Sequence, residues 1–350
     1  MDSVFEHTML FSGDYNDSFF KDAQAHLIVC EDAAKAAQAE KTLFARYEKK
    51  TASYVICCEK TQHAADKLKE QLIVAAMERG REAAYLKWLL EENHFAAMLI
   101  CTADRAVLEN VEGIAAVCDW KKQGVTVAED ISAHVDAHSL MHEGAKAILP
   151  AAGYLCGFNT VQDCLKDEFV RDYLAHALAD EVAPLLSLSR EDALRYAADV
   201  FIGFEKNGEH LLLTDMAENL VSRYAKYVLP VLAKHVQEKK AIAPCLCFAL
   251  SALIMFYAGA RSDGKGGYQG VREEEYYPVR DDDEVMHAFS RMSCDMDCDS
   301  IAYAVLSDWE MWNNDLRNVP GLMDGVTGQV RDIQLLGSKT ALKVAVEQHD

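Results

Sequence analysis

Three histidines recur every four residues in SAHVDAHSLMHEGAKAILP, at His134, His138 and His142, and Glu143 and Lys146 follow directly. On a helix such positions lie one above the other, so the imidazoles share a face and Glu143 and Lys146 take the adjoining one. Two chemistries suit the set. Imidazoles with a carboxylate can ligate zinc, iron or manganese, which makes a metal-dependent lyase or isomerase on the His134/His138/His142 face one reading. Against it, His142 stands about two turns from His134 and cannot share an ion held between the first two without a bend, so no metal is assigned. The second chemistry is proton transfer: Lys146 or His138, brought toward neutrality by burial, can serve a carbonyl or hydroxyl while Glu143 orients it. A solvated, ion-paired helix surface would carry the same residues.

The elements that must hold this stretch read as two domains. From His26, HLIVC is a short apolar run, then EDAAKAAQAEKTLFARYEKK is helix-forming, and ASYVICC is a second apolar run ending at Cys58. An amphipathic helix follows from about Gln62 to Gly80, then AMLICTADRAVLEN and the strand candidates IAAVCDW and GVTVAED. Alternating strands and helices predict a small α/β domain with a parallel sheet over residues 1–130. Residues 131–350 read as all-α, with helices expected at Val161–Leu186, Arg190–Phe204, His210–Gln237, Pro244–Tyr257, Asp283–Met292, Ser300–Asp315 and Pro320–Leu336. Thr160 before Asp163 and Ser189 before Asp192 resemble capping boxes. The segment SDGKGGYQGVREEEYYPVRDDD from Ser262 is expected to be an exposed loop, its glycines serving flexibility, with the acidic run at Asp281 starting a helix. Trp309 and Trp312, three apart, are expected to pack.

With 350 residues and 51% hydrophobic residues, a large core is within reach. A formal net charge of −21 repels phosphate backbones and anionic lipid, so neither nucleic acid nor membrane is an expected partner. No apolar run spans a bilayer, and MDSVFEHTMLF lacks a basic region followed by an apolar run. Eleven cysteines include no C-x-x-C pair, and CLC (Cys245, Cys247) and CDMDC (Cys294, Cys298) match no structural zinc pattern. The expectation is a cytoplasmic chain with reduced thiols.

The stretches FALSALIMFYAGAR (Phe248 to Arg261), YYPVRDDD (Tyr276 to Asp283) and VLSDWEMWNNDLRNVPGLMDGV (Val305 to Val326) carry a family resemblance. They are similar to the helical C-terminal domain of the long-chain mannitol dehydrogenase family, in its tagaturonate reductase (altronate oxidoreductase) branch. SYVICCEKTQHAADKLKE, LKWLLEENHF and VAEDISAHVDAHSLMHEGAKAILP extend the likeness through the late nucleotide-binding domain into the helical one. The resemblance makes the α/β domain of residues 1–130 a reduced Rossmann-like one and implies an NAD-dependent oxidoreductase acting on a sugar acid or polyol. It also implies a catalytic lysine, then an asparagine five residues on and a histidine three further; ungapped, these positions carry His138, Glu143 and Lys146. The substrate wall implied by the family maps onto Asn219 and Arg223, with His210 one position from the family's histidine.

The departures shape the expectation. No G-x-G-x-x-G occurs, and the family's next cofactor-contacting loop corresponds to CEDAAKA, which brings two carboxylates where phosphate would sit. The chain is therefore read as a divergent, N-terminally shortened member that binds a sugar acid or polyol in its interdomain cleft, with NAD assigned by resemblance alone. Hydride transfer then lacks its phosphate loop, as in a pseudoenzyme. An active NAD-dependent hexuronate oxidoreductase with an altered cofactor site stands beside it. A parallel sheet missing its first strands leaves an unpaired edge, for which a homodimer is the expected cover.

Overall fold

The structure is a computed structural model describing residues 26–292 and 296–348, with the backbone of 8–11. The chain divides into two compact units, Met1–His138 and Ser139–Asp350.

The first unit is built on a six-stranded sheet in the order β1 (Thr8–Phe11), β2 (Leu27–Cys30), β3 (Tyr54–Cys57), β4 (His94–Thr102), β5 (Arg105–Glu109) and β6 (Val125–Ala128). β1 to β4 are parallel, β5 runs antiparallel to β4, and β6 runs parallel to β5. Two of the parallel crossovers are α-helical: α1 (Ala36–Glu48) joins β2 to β3, and α2 (Ala64–Glu78) and α3 (Ala83–Glu91) join β3 to β4. All four residues of β2 are buried, because helices cover one face and a second apolar layer the other. That second layer sets Ile114, Val117 and Trp120 against Leu27, Val29, Ile56, Ala96 and Met98.

Expectation and structure differ here in two places. IAAVCDW is no strand: Ile114–Ala116 form one 3₁₀ turn, and Trp120 folds back to donate its indole N–H to the Ile114 carbonyl at 2.7 Å. Thr8–Phe11, not expected as a strand, pair in parallel with Leu27–Cys30. Residues 1–7 and 12–25, where the shortened N-terminus was read, lie outside the described residues.

Helix α4 (Ser132–Leu155) crosses from the first unit into the second, so the expected boundary at residue 130 lies just before it and the unit boundary inside it. The second unit continues with α5 (Val161–Lys166), α6 (Glu168–His176), a π turn at Ala177–Val182, α7 (Arg190–Asn207), α8 (Leu213–Met216), α9 (Leu220–Tyr227), α10 (Leu229–Lys239) and α11 (Pro244–Tyr257). It closes with α12 (Asp283–Ser290), α13 (Cys298–Leu306), α14 (Trp309–Trp312), α15 (Leu322–Leu336) and α16 (Ser338–Glu347). α11 is apolar on every side and buried on every side, the hub against which α6, α9, α15 and α16 pack.

Both capping boxes form: Thr160 accepts from the Asp163 N–H and Ser189 from the Asp192 N–H, each at 3.1 Å. Three long expected helices are broken, two where an aspartate side chain caps a new start and one at a left-handed residue. Asp167, extended, accepts from the Val170 N–H and opens α6. Asn219 is left-handed (φ 54°) ahead of α9, and Asp308 accepts from Met311 ahead of α14. The glycine-rich segment is not a loop but a three-stranded antiparallel sheet, β7 (Arg261–Ser262), β8 (Tyr268–Arg272) and β9 (Glu275–Val279). Its tight turn uses Glu273 and Glu274 at φ 48° and 72°, a conformation for which Asn-Gly is the usual signal. Gly270 is there for space: a Cβ would lie 2.3 Å from the Tyr277 ring across the register. Trp312 is buried as expected, donating to the Val305 carbonyl at 2.8 Å, whereas Trp309 is 60% exposed and does not pack. Cys294 lies outside the described residues.

Candidate functional site

α4 enters through a polar turn. Ser132 N–H donates to Asp130 at 2.7 Å, and the Gln62 side-chain amide donates to the Ser132 carbonyl (2.9 Å) and to Asp136 (2.8 Å), tying the turn after β3 to the start of α4. Hydrogen bonds from the Ser132 hydroxyl and N–H hold the Asp130 carboxyl below the usual carboxylate range, with His63 and His134 adding to the effect.

Beside this turn, within the first unit, lies a cavity of about 290 Å³ lined by His63, Asp66, Lys69, His94, Glu109 and Asp130, among others. Its walls are held from below. Glu109 accepts from the Ala97 N–H at 2.9 Å, His94 stacks on Tyr54 with ring centroids 5.0 Å apart, and Lys69 lies over the Phe95 ring. His63, left-handed at φ 57°, is 3.6 Å from Asp66. Carboxylates that accept, cations that donate and ring faces that pack on C–H bonds are what a polyhydroxylated ligand asks of a pocket. Helical spacing and motif do not single out these residues; His63 and Asp66 three apart at a helix start, with VAED before α4, are the only local signal.

Further along α4, His138 is buried, while His134, His142, Glu143 and Lys146 are half-buried. Lys146 Nζ donates to Glu143 at 2.7 Å, one turn apart. The histidines share the expected helix, yet among the described residues no group of three or more His, Cys, Asp or Glu is placed to hold a metal ion. The metal-dependent reading therefore lacks a donor set there.

The residues expected to form a substrate wall are only partly together. Asn219 and Arg223 flank the first turn of α9, Arg223 N–H donating to the Asn219 carbonyl at 3.2 Å and its guanidinium to Met216. His210 is exposed in the turn after α7. No hydrogen bond or ion pair among the described residues joins either to Glu143 or Lys146.

A dinucleotide pyrophosphate needs glycine at a strand-to-helix turn so that backbone can approach it. The turns after β2 (Glu31, Asp32) and after β3 (Glu59 to His63) contain none, and one oxygen of Asp32 is buried without a hydrogen-bond partner. Among the described strands the order runs one way from β1 to β6, without the reversal that opens a nucleotide crevice. These described turns do not fit the cofactor's phosphates. Among the described residues no helix is long and apolar enough to cross a membrane.

Comparison with known proteins gives these features a family. Residues 130–334 match the model of the mannitol dehydrogenase C-terminal domain. Altronate oxidoreductase of Klebsiella pneumoniae (strain 342) is 26% identical over 325 residues, covering 83% of this chain and 65% of that protein. That of Yersinia pestis is 26% identical over 321 residues, covering 81% and 64%. The chain thus spans a little under two thirds of the curated relatives it matches. Among solved structures, substrate-free D-sorbitol dehydrogenase aligns with TM-score 0.60 at 15% identity over 91% of this chain and 75% of that one. Pseudomonas fluorescens mannitol 2-dehydrogenase, in ternary complex with NAD and D-mannitol, aligns with TM-score 0.55 at 14% identity over 93% and 75%. Both share the Rossmann-like sheet and helical domain as a fold. With more than half its length matched by the family model, the chain belongs to the mannitol dehydrogenase family.

Proposed function

We propose that this protein is a carbohydrate-binding member of the family whose ligand is a sugar acid or polyol. The observation that carries the reading is the half-buried Lys146–Glu143 pair at 2.7 Å, standing where the family's catalytic asparagine and histidine map, on the helix that opens beside the polar cavity of the first unit. An ammonium held by a carboxylate donates to a hydroxyl or to a sugar carboxylate, and the carboxylate accepts from a neighbouring hydroxyl. The family relationship supports an oxidoreductase of sugars or polyols as the ancestral chemistry. Replacement of all three motif residues by His138, Glu143 and Lys146 supports binding without efficient turnover.

Oxidoreduction with NAD is the second reading, favoured by the fold shared with the mannitol 2-dehydrogenase complex. Thermal shift separates the two, because a ligand that binds only the folded state raises the melting temperature by mass action. Tagaturonate, altronate and mannitol are titrated with and without NADH. A shift with sugar acid alone supports binding. A shift with NADH, accompanied by NADH oxidation on adding tagaturonate, supports the second reading, and no shift with any of them overturns both.

A further inference from the structure

We propose that Arg272 is a positioning residue for α4: from the three-stranded sheet it holds the far end of that helix and thereby sets where Glu143 and Lys146 stand. The inference rests on the reading of those two side chains as ligand contacts.

α4 carries an internal weakness. Pro150 has no N–H, so the carbonyl of Lys146, four residues earlier, loses its helical donor at the site residue itself. The helix beyond Pro150 is thus joined to the site turn by one backbone bond fewer, and its end needs holding from outside. Part of that hold is local: Gly157, at φ 97°, donates to the Tyr154 carbonyl at 3.0 Å, and Phe158 donates to the Gly153 carbonyl at 3.2 Å, a glycine-terminated helix end.

The remainder comes from Arg272, more than a hundred residues away in sequence. One guanidinium nitrogen donates to the carbonyls of Tyr154 (2.8 Å) and Phe158 (3.0 Å), the other to the Asn159 side chain (2.7 Å), and the guanidinium lies 3.8 Å over the Tyr154 ring. A cation at a helix C-terminus also opposes the negative end of its dipole. Only a planar fork makes these bonds while stacking, so lysine is not its equivalent. The fork has a firm base. Tyr277, on β9, packs its ring against Gly270 and donates its hydroxyl to the Phe256 carbonyl at 2.7 Å, which fixes the sheet to the buried hub helix α11. A continuous path therefore runs from the hub through β9 and β8 to the end of α4. The hydrogen bonds of Arg272 go to Tyr154, Phe158 and Asn159 and not to Glu143 or Lys146, so its effect has to be read at a distance.

The test is hydrogen–deuterium exchange by mass spectrometry on the full chain, with sugar-acid affinity measured on the same preparations. Arg272→Met is compared with wild type, with Arg272→Lys, and with Tyr277→Phe, which removes a bond of the sheet but leaves the fork. Arg272→Met is expected to raise exchange about tenfold across residues 139–158, including the turn before Pro150, and to weaken sugar-acid binding about tenfold. Arg272→Lys is expected midway, and Tyr277→Phe, which loosens the base of the fork, between wild type and Arg272→Lys. Faster exchange confined to residues 152–158 with unchanged affinity would make Arg272 a local cap and overturn the inference. Wild-type protein that binds no sugar acid would overturn the proposed function alone, since the exchange pattern still decides whether the clamp reaches the site.

Discussion

Lys146 donates to Glu143 at 2.7 Å across one turn of α4, with 42% and 34% of the two side chains exposed. A pair this open adds at most about 1 kcal/mol to stability, so under the proposed function its loss bears on ligand binding more than on folding. Lys146→Met and Glu143→Gln are each expected to weaken sugar-acid binding about tenfold, roughly 1.4 kcal/mol, and to leave the unliganded melting temperature within about 2 °C of wild type. Calorimetric titration and a thermal melt on the same samples check both.

Glu181 has the opposite character. It is fully buried in the π turn, and its two oxygens accept from the N–H groups of Cys245 and Leu246 (2.8 and 2.7 Å) at the start of α11. Tyr173 and Tyr224 donate to the carbonyls of the same two residues. Glu181→Ala leaves two buried donors unpaired at the hub, and a loss of about 3 kcal/mol in the stability of the second unit is expected from urea unfolding.

The Asp167 carboxyl lies below its ordinary 3.8. Burial works to raise it, but Lys339 at 2.5 Å and the Val170 N–H outweigh burial together. A lowered pKa contributes stability that is present above the unfolded value and lost as pH falls through the folded one. The stability gap between wild type and Asp167→Asn should therefore be constant from neutral pH to about 5 and close on further acidification. Thermal melts across that range measure it.

Three buried thiols meet at the ends of β2 and β3. Burial pushes Cys30 up to about 12 and Cys57 up to about 11, and holds Cys58 well above the usual range. A thiol so rarely ionised is slow to react. Timed alkylation at pH 8 followed by peptide mapping should label the half-buried Cys118 and Cys298 well before these three, which react only once the first unit unfolds.

Much of this architecture was legible from periodicity and motif. β2 and β3 are short β-branched runs flanking an alanine-rich helix, α11 is apolar throughout, and Thr160 and Ser189 announce their helices. What escaped depends on tertiary partners. Glu273 and Glu274 adopt a turn that their types do not favour because Arg272 and Tyr277, on the flanking strands, are fixed by α4 and α11. Asn219 and Asp308 break helices that helical spacing alone would continue. At the site, the helical spacing of His134 to Lys146 was legible. The cavity was not, since His63, Lys69, His94 and Asp130 come from four separate segments and meet only in the fold.

The central claim is that this family member binds a sugar acid or polyol through α4, and isothermal titration of tagaturonate into the full chain tests it most directly. The account predicts saturable heat with a Kd in the millimolar range or tighter, about −4 kcal/mol or better, weakened about tenfold by Lys146→Met and needing no NADH. Heats that stay flat up to about 10 mM tagaturonate, altronate and mannitol alike, with and without NADH, would contradict it.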